Sequence, residues 1–149
     1  MPTAGALLIT PGAGASRDHR TLRALDDALS IPVERVDFPY RIAGRRAPDK
    51  APVAVAHLVE EAKRVVAEQH IRANRLVLGG RSYGGRMCSM AVAEGLPAAG
   101  LILLSYPLHP PGKPEQLRVE HFPDITVPCL FVSGRKDAFA TEAELKKAT

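Results

Sequence analysis

The sequence predicts a three-layer α/β fold built around a mostly parallel sheet. Apolar runs alternate along the chain with segments of helical periodicity, and this alternation is typical of parallel sheets with helices on both faces. Most of the apolar runs are continuous, which is the pattern of strands buried on both faces. The 149 residues are enough for one domain with a real core, so we expect a single domain over residues 1–149.

Five apolar runs predict the strands of this sheet. They lie at residues 6–9, 33–36, 76–78, 101–104 and 129–132. The second run, Val33-Glu34-Arg35-Val36, alternates in polarity and is therefore expected at an edge of the sheet. The other four are continuous, and they predict strands that are buried on both faces.

Helical periodicity fills most of the gaps between the runs. An apolar stripe over residues 22–29 follows Asp18, which we expect to cap that helix. A longer stripe over residues 55–66 follows Pro52, a residue suited to the first turn of a helix. A third helix is predicted over residues 83–94, directly after the third strand.

The remaining connections are predicted as loops. Residues 38–52 contain prolines and a glycine and form the most linker-like stretch of the chain. Residues 107–128 are rich in proline and only weakly helical, and they are too few to form a large lid over a site. A last helix is predicted to begin near Thr141.

The composition excludes several classes of function. Basic residues are scattered, the net charge is only +4 and 5% of residues are aromatic, so we expect no nucleic-acid partner. The sequence contains no run of about 18 apolar residues, so we expect no membrane span, and the N-terminus has no secretory pattern. Cys88 and Cys129 are expected to be buried free thiols in a reducing compartment, without metal-ligand spacing. These observations predict a cytoplasmic protein with no metal and no cofactor.

The strongest chemical signal is the pentapeptide Gly80-Arg81-Ser82-Tyr83-Gly84, a G-x-S-x-G motif between the third strand and the third helix. In this setting the motif predicts a nucleophile elbow, in which a sharp turn raises the serine above the sheet edge at the helix N-terminus. Ser82 is therefore the candidate nucleophile. The alternative is a glycine-rich turn that packs closely and carries out no chemistry.

A second glycine-rich loop, residues 10–16, follows the first strand. It lacks the Lys-Ser/Thr ending of a phosphate-binding P-loop, and its spacing does not fit a dinucleotide fingerprint. It suits the second half of an oxyanion hole, whose N–H donors would be those of Ala13 and Tyr83. This pairing predicts strand order 2-1-3-4-5, because strands one and three must then be neighbours.

The candidate acid is Asp137, which lies in the turn after the fifth strand, on the same rim as Ser82. The alternative is a loop aspartate that forms a turn hydrogen bond. A catalytic triad of this order needs a histidine after the acid, yet all five histidines precede Asp137. His109 follows the fourth strand and is the one that could approach Ser82, although a structural role fits it better.

The end of the sequence predicts a truncation. Residues 142–149 have the pattern of a helix with no C-cap and no following strand. We expect the sequence to be a C-terminally truncated version of a longer protein that has a further strand, a histidine loop and a final helix. The edge of the fifth strand would then be exposed.

Four segments together resemble one branch of the α/β-hydrolases. This branch holds bacterial dienelactone-hydrolase-like proteins, the hydrolase-like domain of a subunit of the eukaryotic NSL histone-acetyltransferase complex, and its testis-expressed relative. The segments are Thr10-Pro11-Gly12-Ala13-Gly14, Gly79-Gly80-Arg81-Ser82-Tyr83-Gly84-Gly85-Arg86, Ser105-Tyr106-Pro107-Leu108-His109-Pro110 and Leu130-Phe131-Val132-Ser133-Gly134.

The resemblance implies an incomplete α/β-hydrolase fold with Ser82 as nucleophile, Asp137 as acid, and Ala13 and Tyr83 as oxyanion donors. Two functions follow as alternatives. One is a serine hydrolase that acts on a small carboxylic ester, lactone or thioester. The other is a catalytically inactive interaction module, as the eukaryotic relatives suggest and as the missing histidine favours. Arginines 81, 86 and 135 are candidates to favour an anionic acid portion of a substrate.

Overall fold

A five-stranded, entirely parallel sheet forms the centre of the computed structural model, which describes residues 3–149. The strands lie in the order β2-β1-β3-β4-β5, as the sequence predicts. Their bounds are Ala6–Thr10 (β1), Val33–Arg35 (β2), Leu76–Arg81 (β3), Gly100–Leu104 (β4) and Cys129–Val132 (β5). The order makes β1 and β3 neighbours, so the loops that follow them meet at one edge of the sheet.

Helices connect the strands. They are α1 (Arg20–Ala28), α2 (Pro39–Ile42), α3 (Ala51–Glu68), α4 (Tyr83–Ala93) and α5 (Glu142–Ala148), with short 3₁₀ turns at Ala73–Arg75 and Phe122–Asp124. The predicted helices are all present. As predicted, Pro52 lies in the first turn of α3 and the last helix begins near Thr141; the structure adds that Thr141 caps α5, in a capping box with Glu144.

The core consists of two apolar layers on opposite faces of the sheet. Leu7 and Ile9 of β1 pack against Leu22 of α1 on one face. Leu8, together with residues of β3 and β4, packs against α3 and α4 on the other face. Because successive side chains of a strand point to opposite faces, β1 is buried along its whole length. The three predicted layers are therefore confirmed.

Strand β5 is not buried on both faces, so that expectation was wrong. Leu130 is 57% exposed and Val132 is 50% exposed. In the strand register they lie beside Ile102 and Leu104, on the same face of the sheet as α1. Helix α1 packs against β1, at the other end of the sheet, and therefore does not cover β5. Cys129 is also exposed, which corrects the prediction of two buried thiols.

Two local predictions also need correction. Residues 38–52 are not linker-like, because they contain α2 and the buried side chains of Phe38, Tyr40 and Asp49. The N-cap of α1 is His19, whose Nδ1 accepts the Thr21 N–H at 3.2 Å. Asp18 instead pairs with Arg35, which lies 3.1 Å away.

Within residues 3–149, no helix is both long and apolar enough to cross a membrane. The same residues hold no cluster of three or more His, Cys, Asp or Glu side chains arranged to bind a metal ion.

Candidate active site

The turn from β3 into α4 holds Ser82 in a strained backbone conformation. Its φ is 51° and its ψ is −118°, a region that side-chain-bearing residues rarely adopt. The Ser82 N–H donates to the Leu104 carbonyl at 2.7 Å, and its carbonyl accepts the Arg86 N–H at 3.1 Å. These two bonds tie the turn to β4 on one side and to the first turn of α4 on the other.

The glycines of the motif are required by close packing. A Cβ atom on Gly80 would lie 2.5 Å from the backbone of Gly84 and Gly85. A Cβ atom on Gly84 would lie 2.5 Å from the Pro11 carbonyl oxygen. No Cβ atom tolerates such distances, so only glycine lets β3, α4 and the β1 loop approach this closely. This packing accounts for the sequence motif on steric grounds.

Beneath the turn lies a small buried polar cluster. The Thr10 hydroxyl donates to the Gly79 carbonyl at 3.1 Å, and the Cys88 thiol lies 3.6 Å from the Thr10 hydroxyl. Burial raises the pKa of Cys88 to about 12. Cys88 is thus the buried, unreactive free thiol that the sequence predicts.

The loop after β1 lies against the serine. A Cβ atom on Gly12 would be 3.5 Å from Ser82 Cβ, and the Ala15 N–H donates to the Gly12 carbonyl at 3.1 Å, which closes the turn. Among the described residues, neither the Ala13 N–H nor the Tyr83 N–H donates to another group. Both residues line the same cleft as Ser82, as the oxyanion prediction requires.

Aromatic side chains support this loop, and of these the sequence analysis singled out only Tyr83. The Tyr40 hydroxyl accepts the Gly14 N–H at 3.2 Å, and the Tyr40 N–H donates to the Asp49 carboxylate at 2.9 Å. The Tyr83 hydroxyl donates to the Asp49 carbonyl at 2.5 Å, and its ring packs edge-on against Phe38. Burial raises the pKa of Tyr83, so its hydroxyl remains a donor.

The cleft above Ser82 has a volume of about 390 Å³. Beside the serine and the oxyanion loop, its walls include Arg81, Arg86, Arg118 and the ring of Phe139. Arg135, which the sequence suggested, does not line the cleft and instead lies 3.6 Å from Glu142 at the surface. Arg118 was missed because it lies in the proline-rich loop, with no motif around it.

An apolar hollow of about 420 Å³ lies elsewhere, between α3 and the C-terminal end of α4. Its lining includes Val59, Leu76 and Leu96, and none of the predicted site residues. It therefore has no part in the chemistry of Ser82.

Asp137 lies in the turn after β5, close to the cleft but not in its wall. Its carboxylate accepts the Phe139 N–H at 2.9 Å, which is the turn hydrogen bond of the alternative interpretation. Phe139 itself lines the cleft, so the turn borders the site. No histidine bonds to Asp137 within residues 3–149, and its role as the acid stays a prediction.

The histidines near the cleft are engaged elsewhere. His109 is buried, with Nδ1 2.7 Å from the Pro110 carbonyl and Nε2 2.8 Å from Glu144 Oε2. The Glu144 contact is the main cause that raises the pKa of His109. His121 Nε2 lies 2.7 Å from the Ser89 hydroxyl, and burial together with the charge of Arg86 lowers its pKa.

The remaining histidines also lie outside the cleft. His57 Nε2 is 2.9 Å from the Asp37 carbonyl, His19 caps α1, and His70 ends the turn after α3 with a φ of 53°. None of the five histidines lines the cleft formed by the described residues.

Comparison with known proteins agrees with this architecture. Residues 3–149 match the family model described as an alpha/beta hydrolase domain. A protein from Xanthomonas campestris pv. campestris, assigned to the hydrolases of the alpha/beta superfamily, is 23% identical over 97% of this chain and 78% of its own, with a TM-score of 0.67.

Two further solved structures carry dienelactone hydrolase names. The protein from Klebsiella pneumoniae subsp. pneumoniae is 15% identical over 99% of this chain and 68% of its own, with a TM-score of 0.68. The protein from Anabaena variabilis is 14% identical over 99% of this chain and 83% of its own, with a TM-score of 0.64. At these identities the structures show a shared fold. The match of the family model over residues 3–149 shows that the chain belongs to the alpha/beta hydrolase domain family.

Proposed function

We propose that this protein is a serine hydrolase of carboxylic esters, lactones or thioesters, with Ser82 as the nucleophile. One observation carries the proposal. Ser82 lies in a strained turn with its hydroxyl free of hydrogen bonds within the described residues, in a cleft also lined by Ala13 and Tyr83, whose N–H groups have no acceptor there. Strain of this kind persists where the surrounding structure enforces it, and it is common at active sites.

The chemistry would follow from this arrangement. Ser82 Oγ attacks the substrate carbonyl carbon, and the oxygen of the tetrahedral intermediate takes the negative charge. The N–H groups of Ala13 and Tyr83, with the N-terminus of α4 behind them, stabilise that charge. Collapse breaks the bond to the alcohol or thiol, which leaves with a proton. Water then attacks the acyl-Ser82 ester, releases the acid and restores the hydroxyl.

Each of these steps also needs a group that accepts and returns the serine proton. In a triad this group is a histidine held by a carboxylate, and we propose Asp137 as that carboxylate. We assign the roles of nucleophile and oxyanion donors to Ser82, Ala13 and Tyr83, which line one cleft, whereas none of the described histidines lines it.

The substrate class is supported by two further features. Solved relatives of the same fold carry dienelactone hydrolase names, which favours ester and lactone chemistry. The loop between β4 and β5 contains a single 3₁₀ turn and no longer helix, so the cleft stays open to small or exposed esters. Both cysteines are free thiols, which supports a reducing, cytoplasmic location.

A second function is favoured by the positions of the histidines. A hydrolase-like scaffold whose histidines serve capping and packing would bind partners without turning over an ester. The resemblance to the NSL-complex subunit supports this alternative. It requires neither a free serine hydroxyl nor free N–H groups beside it, and the presence of both in the Ser82 cleft supports the hydrolase proposal instead.

Hydrolysis of 4-nitrophenyl acetate separates the two functions. We expect Ser82→Ala to lower kcat/KM by at least about 10³-fold, because removal of a nucleophile abolishes the covalent step. Ser105→Ala is the matched control, since Ser105 also follows a strand with a positive φ of 50° but does not line the cleft. Equal hydrolysis by the folded wild-type and Ser82→Ala proteins would reject the proposal.

A further inference from the structure

Three arginines in the wall of the Ser82 cleft have no acidic partner in the part of the chain that the structure describes. Arg81, Arg86 and Arg118 form no ion pair within residues 3–149. Other arginines of the chain do pair: Arg35 contacts two aspartates and Arg64 contacts three glutamates. The positive charge of the cleft is therefore not balanced by the groups around it.

Arg86 combines a position in the cleft wall with a buried donor atom. It lies in α4 one helical turn after Ser82, and its Nε is buried with no hydrogen-bond partner in the described structure. A buried N–H without an acceptor is costly, and in native proteins it usually has a partner. Its charge acts together with burial to lower the pKa of Arg118 and of His121, and it opposes the burial that raises the pKa of Tyr83 and of Tyr106.

Arg118 is held in place from its backbone. Its N–H donates to the Leu108 carbonyl at 2.7 Å, and its own carbonyl accepts the Tyr106 hydroxyl at 2.8 Å. Burial and the charge of Arg86 lower the pKa of Arg118, so the two guanidinium groups repel each other. The carboxylates that act on Tyr106 and His121 are those of Glu120 and Asp124; both residues are exposed, and neither pairs with Arg86 or Arg118 within residues 3–149.

We propose that Arg86 and Arg118 bind an anionic oxygen group of the substrate, a carboxylate or a phosphate, while Ser82 attacks the ester carbonyl. The planar guanidinium fork matches both groups, and among the described residues the wall of the cleft contains three arginines and no carboxylate. The proposal rests on the proposed function and names its substrate class: small esters or lactones that carry a negative charge. A cleft of about 390 Å³ accommodates such molecules.

Arg81 has a different position. A Cβ atom on Gly12 would lie 3.7 Å from Arg81 Nη1, so this guanidinium lies beside the glycine-rich loop that follows β1, residues 10–16. We assign it to the rim, where its charge attracts anions toward the cleft.

Anion binding is tested first, without catalysis. Inorganic phosphate and 4-hydroxybenzoate are titrated by calorimetry, at low ionic strength, into the Ser82→Ala protein. We expect at least one of them to bind, and its affinity to fall about tenfold or more when Arg86→Gln or Arg118→Gln is added, as for loss of a hydrogen bond to a charged group. Binding of phosphate but not of 4-hydroxybenzoate would identify a phosphate site, and the reverse a carboxylate site.

The matched control is Arg72→Gln. Arg72 is exposed and precedes β3, at the opposite end of the strand from Ser82, so the same loss of charge should leave anion affinity unchanged. Thermal melting of each variant establishes that it is folded. If Arg86→Gln does not fold, Arg118→Gln, whose substitution lies in a loop, still tests the proposal. The proposal would be overturned if every folded arginine variant bound each anion as tightly as the Ser82→Ala protein does, or if the Ser82→Ala protein bound neither anion.

Kinetics then connect the site to the reaction. The ratio of kcat/KM for 4-acetoxybenzoate to that for its neutral methyl ester should fall about tenfold in Arg86→Gln and in Arg118→Gln, and not in Arg72→Gln. Anion binding without any ester hydrolysis would keep this inference and reject the proposed function. Hydrolysis of both esters with a ratio that no arginine variant changes would reject this inference and keep the function.

Discussion

Strands β3 and β4 end in closely similar ways and then diverge. Each is followed by a Ser-Tyr pair, Ser82-Tyr83 after β3 and Ser105-Tyr106 after β4. Both serines have a positive φ, 51° and 50°, and both donate their N–H at 2.7 Å to the last residue of the next strand. Both tyrosine hydroxyls donate to a backbone carbonyl in a distant loop.

The next residue separates the two turns. After Tyr83 comes Gly84, and the chain continues directly into α4. After Tyr106 comes Pro107, which disfavours a helical conformation of the residue before it, and no helix follows until the 3₁₀ turn at Phe122–Asp124. The turn after β3 therefore places a serine at a helix N-terminus, whereas the turn after β4 places one before a loop.

Under the proposed function, this difference means that backbone strain alone would not make a serine a nucleophile. The serine would also need the free N–H groups at the start of a helix and an open cleft. The turn after β4 has another role, because Tyr106 and Leu108 hold Arg118 at the cleft. Our account assigns the chemistry to one turn and the substrate charge to the other.

The largest predicted effect comes from crowding the turn after β3. Gly84→Ala would place a Cβ atom 2.5 Å from the Pro11 carbonyl oxygen, and such overpacking typically costs about 1–3 kcal/mol of unfolding free energy, occasionally more. We expect a loss at the upper end of this range, because the clash is with backbone. Urea unfolding measures it. Gly134→Ala is the control, since nothing lies within 4 Å of its Cβ, and a similar loss there would contradict this interpretation.

The two tyrosine hydroxyls should have separable effects. Tyr83→Phe and Tyr106→Phe each remove one hydrogen bond to a backbone carbonyl, worth about 1 kcal/mol of unfolding free energy. We expect Tyr83→Phe to lower kcat/KM for charged and neutral esters alike, because it loosens the oxyanion side. Tyr106→Phe should mainly lower the preference for the charged ester, because it releases Arg118. Identical kinetic changes in both variants would contradict the division of roles.

The smallest predicted effect is a pH dependence of the stability of α5, which contacts the loop after β4 and makes no such contact with the turn after β3 among the described residues. His109, only 5% exposed, contacts Glu144 of α5, and the pKa of His109 is raised by this contact. A raised pKa means that this stabilisation is complete below the unfolded value of 6.5 and is lost as pH rises through the folded value. Protection of α5 amides from hydrogen exchange should therefore decrease from pH 6 to pH 9, and His109→Gln should remove that dependence.

At acid pH the stability that this contact contributes depends on pH in the opposite direction. The same contact lowers the pKa of Glu144 to about 2, so its contribution is present above the ordinary value of 4.5 and is lost as pH falls toward 2. Glu115 adds a weaker effect on His109. A wild-type α5 whose exchange, after correction for the intrinsic rate, is the same at pH 6 and pH 9 would exclude this contact as a stabilising one.

Much of the fold could be predicted because its signals are local. Continuous apolar runs, a strand-turn-helix motif and a glycine loop were enough to predict the sheet order, and the structure has that order. The burial of β5 could not be predicted, because it depends on which helix covers that end of the sheet. An apolar run has the same sequence at an edge as in the interior, and Cys129 was misjudged for this reason.

Part of the site was equally hidden from the sequence. Ser82, Ala13 and Tyr83 are joined by adjacency of β1 and β3, which strand order predicts. Tyr40 and Asp49 support the oxyanion loop through hydrogen bonds across a segment that resembles a linker in composition. Arg118 lies at the cleft because individual hydrogen bonds hold an irregular loop in place. The hydrophobic periodicity of the sequence gives no signal for the conformation of such a loop.

The most direct test of the central claim is the site of covalent labelling by a fluorophosphonate. The intact folded protein is treated with the probe, digested and sequenced by mass spectrometry. Our account predicts one phosphonylated residue, Ser82, with labelling abolished in Ser82→Ala and retained in Ser105→Ala. Labelling of Ser105 instead, or no labelling of the folded protein, would contradict the assignment of the nucleophile to the turn that leads into α4.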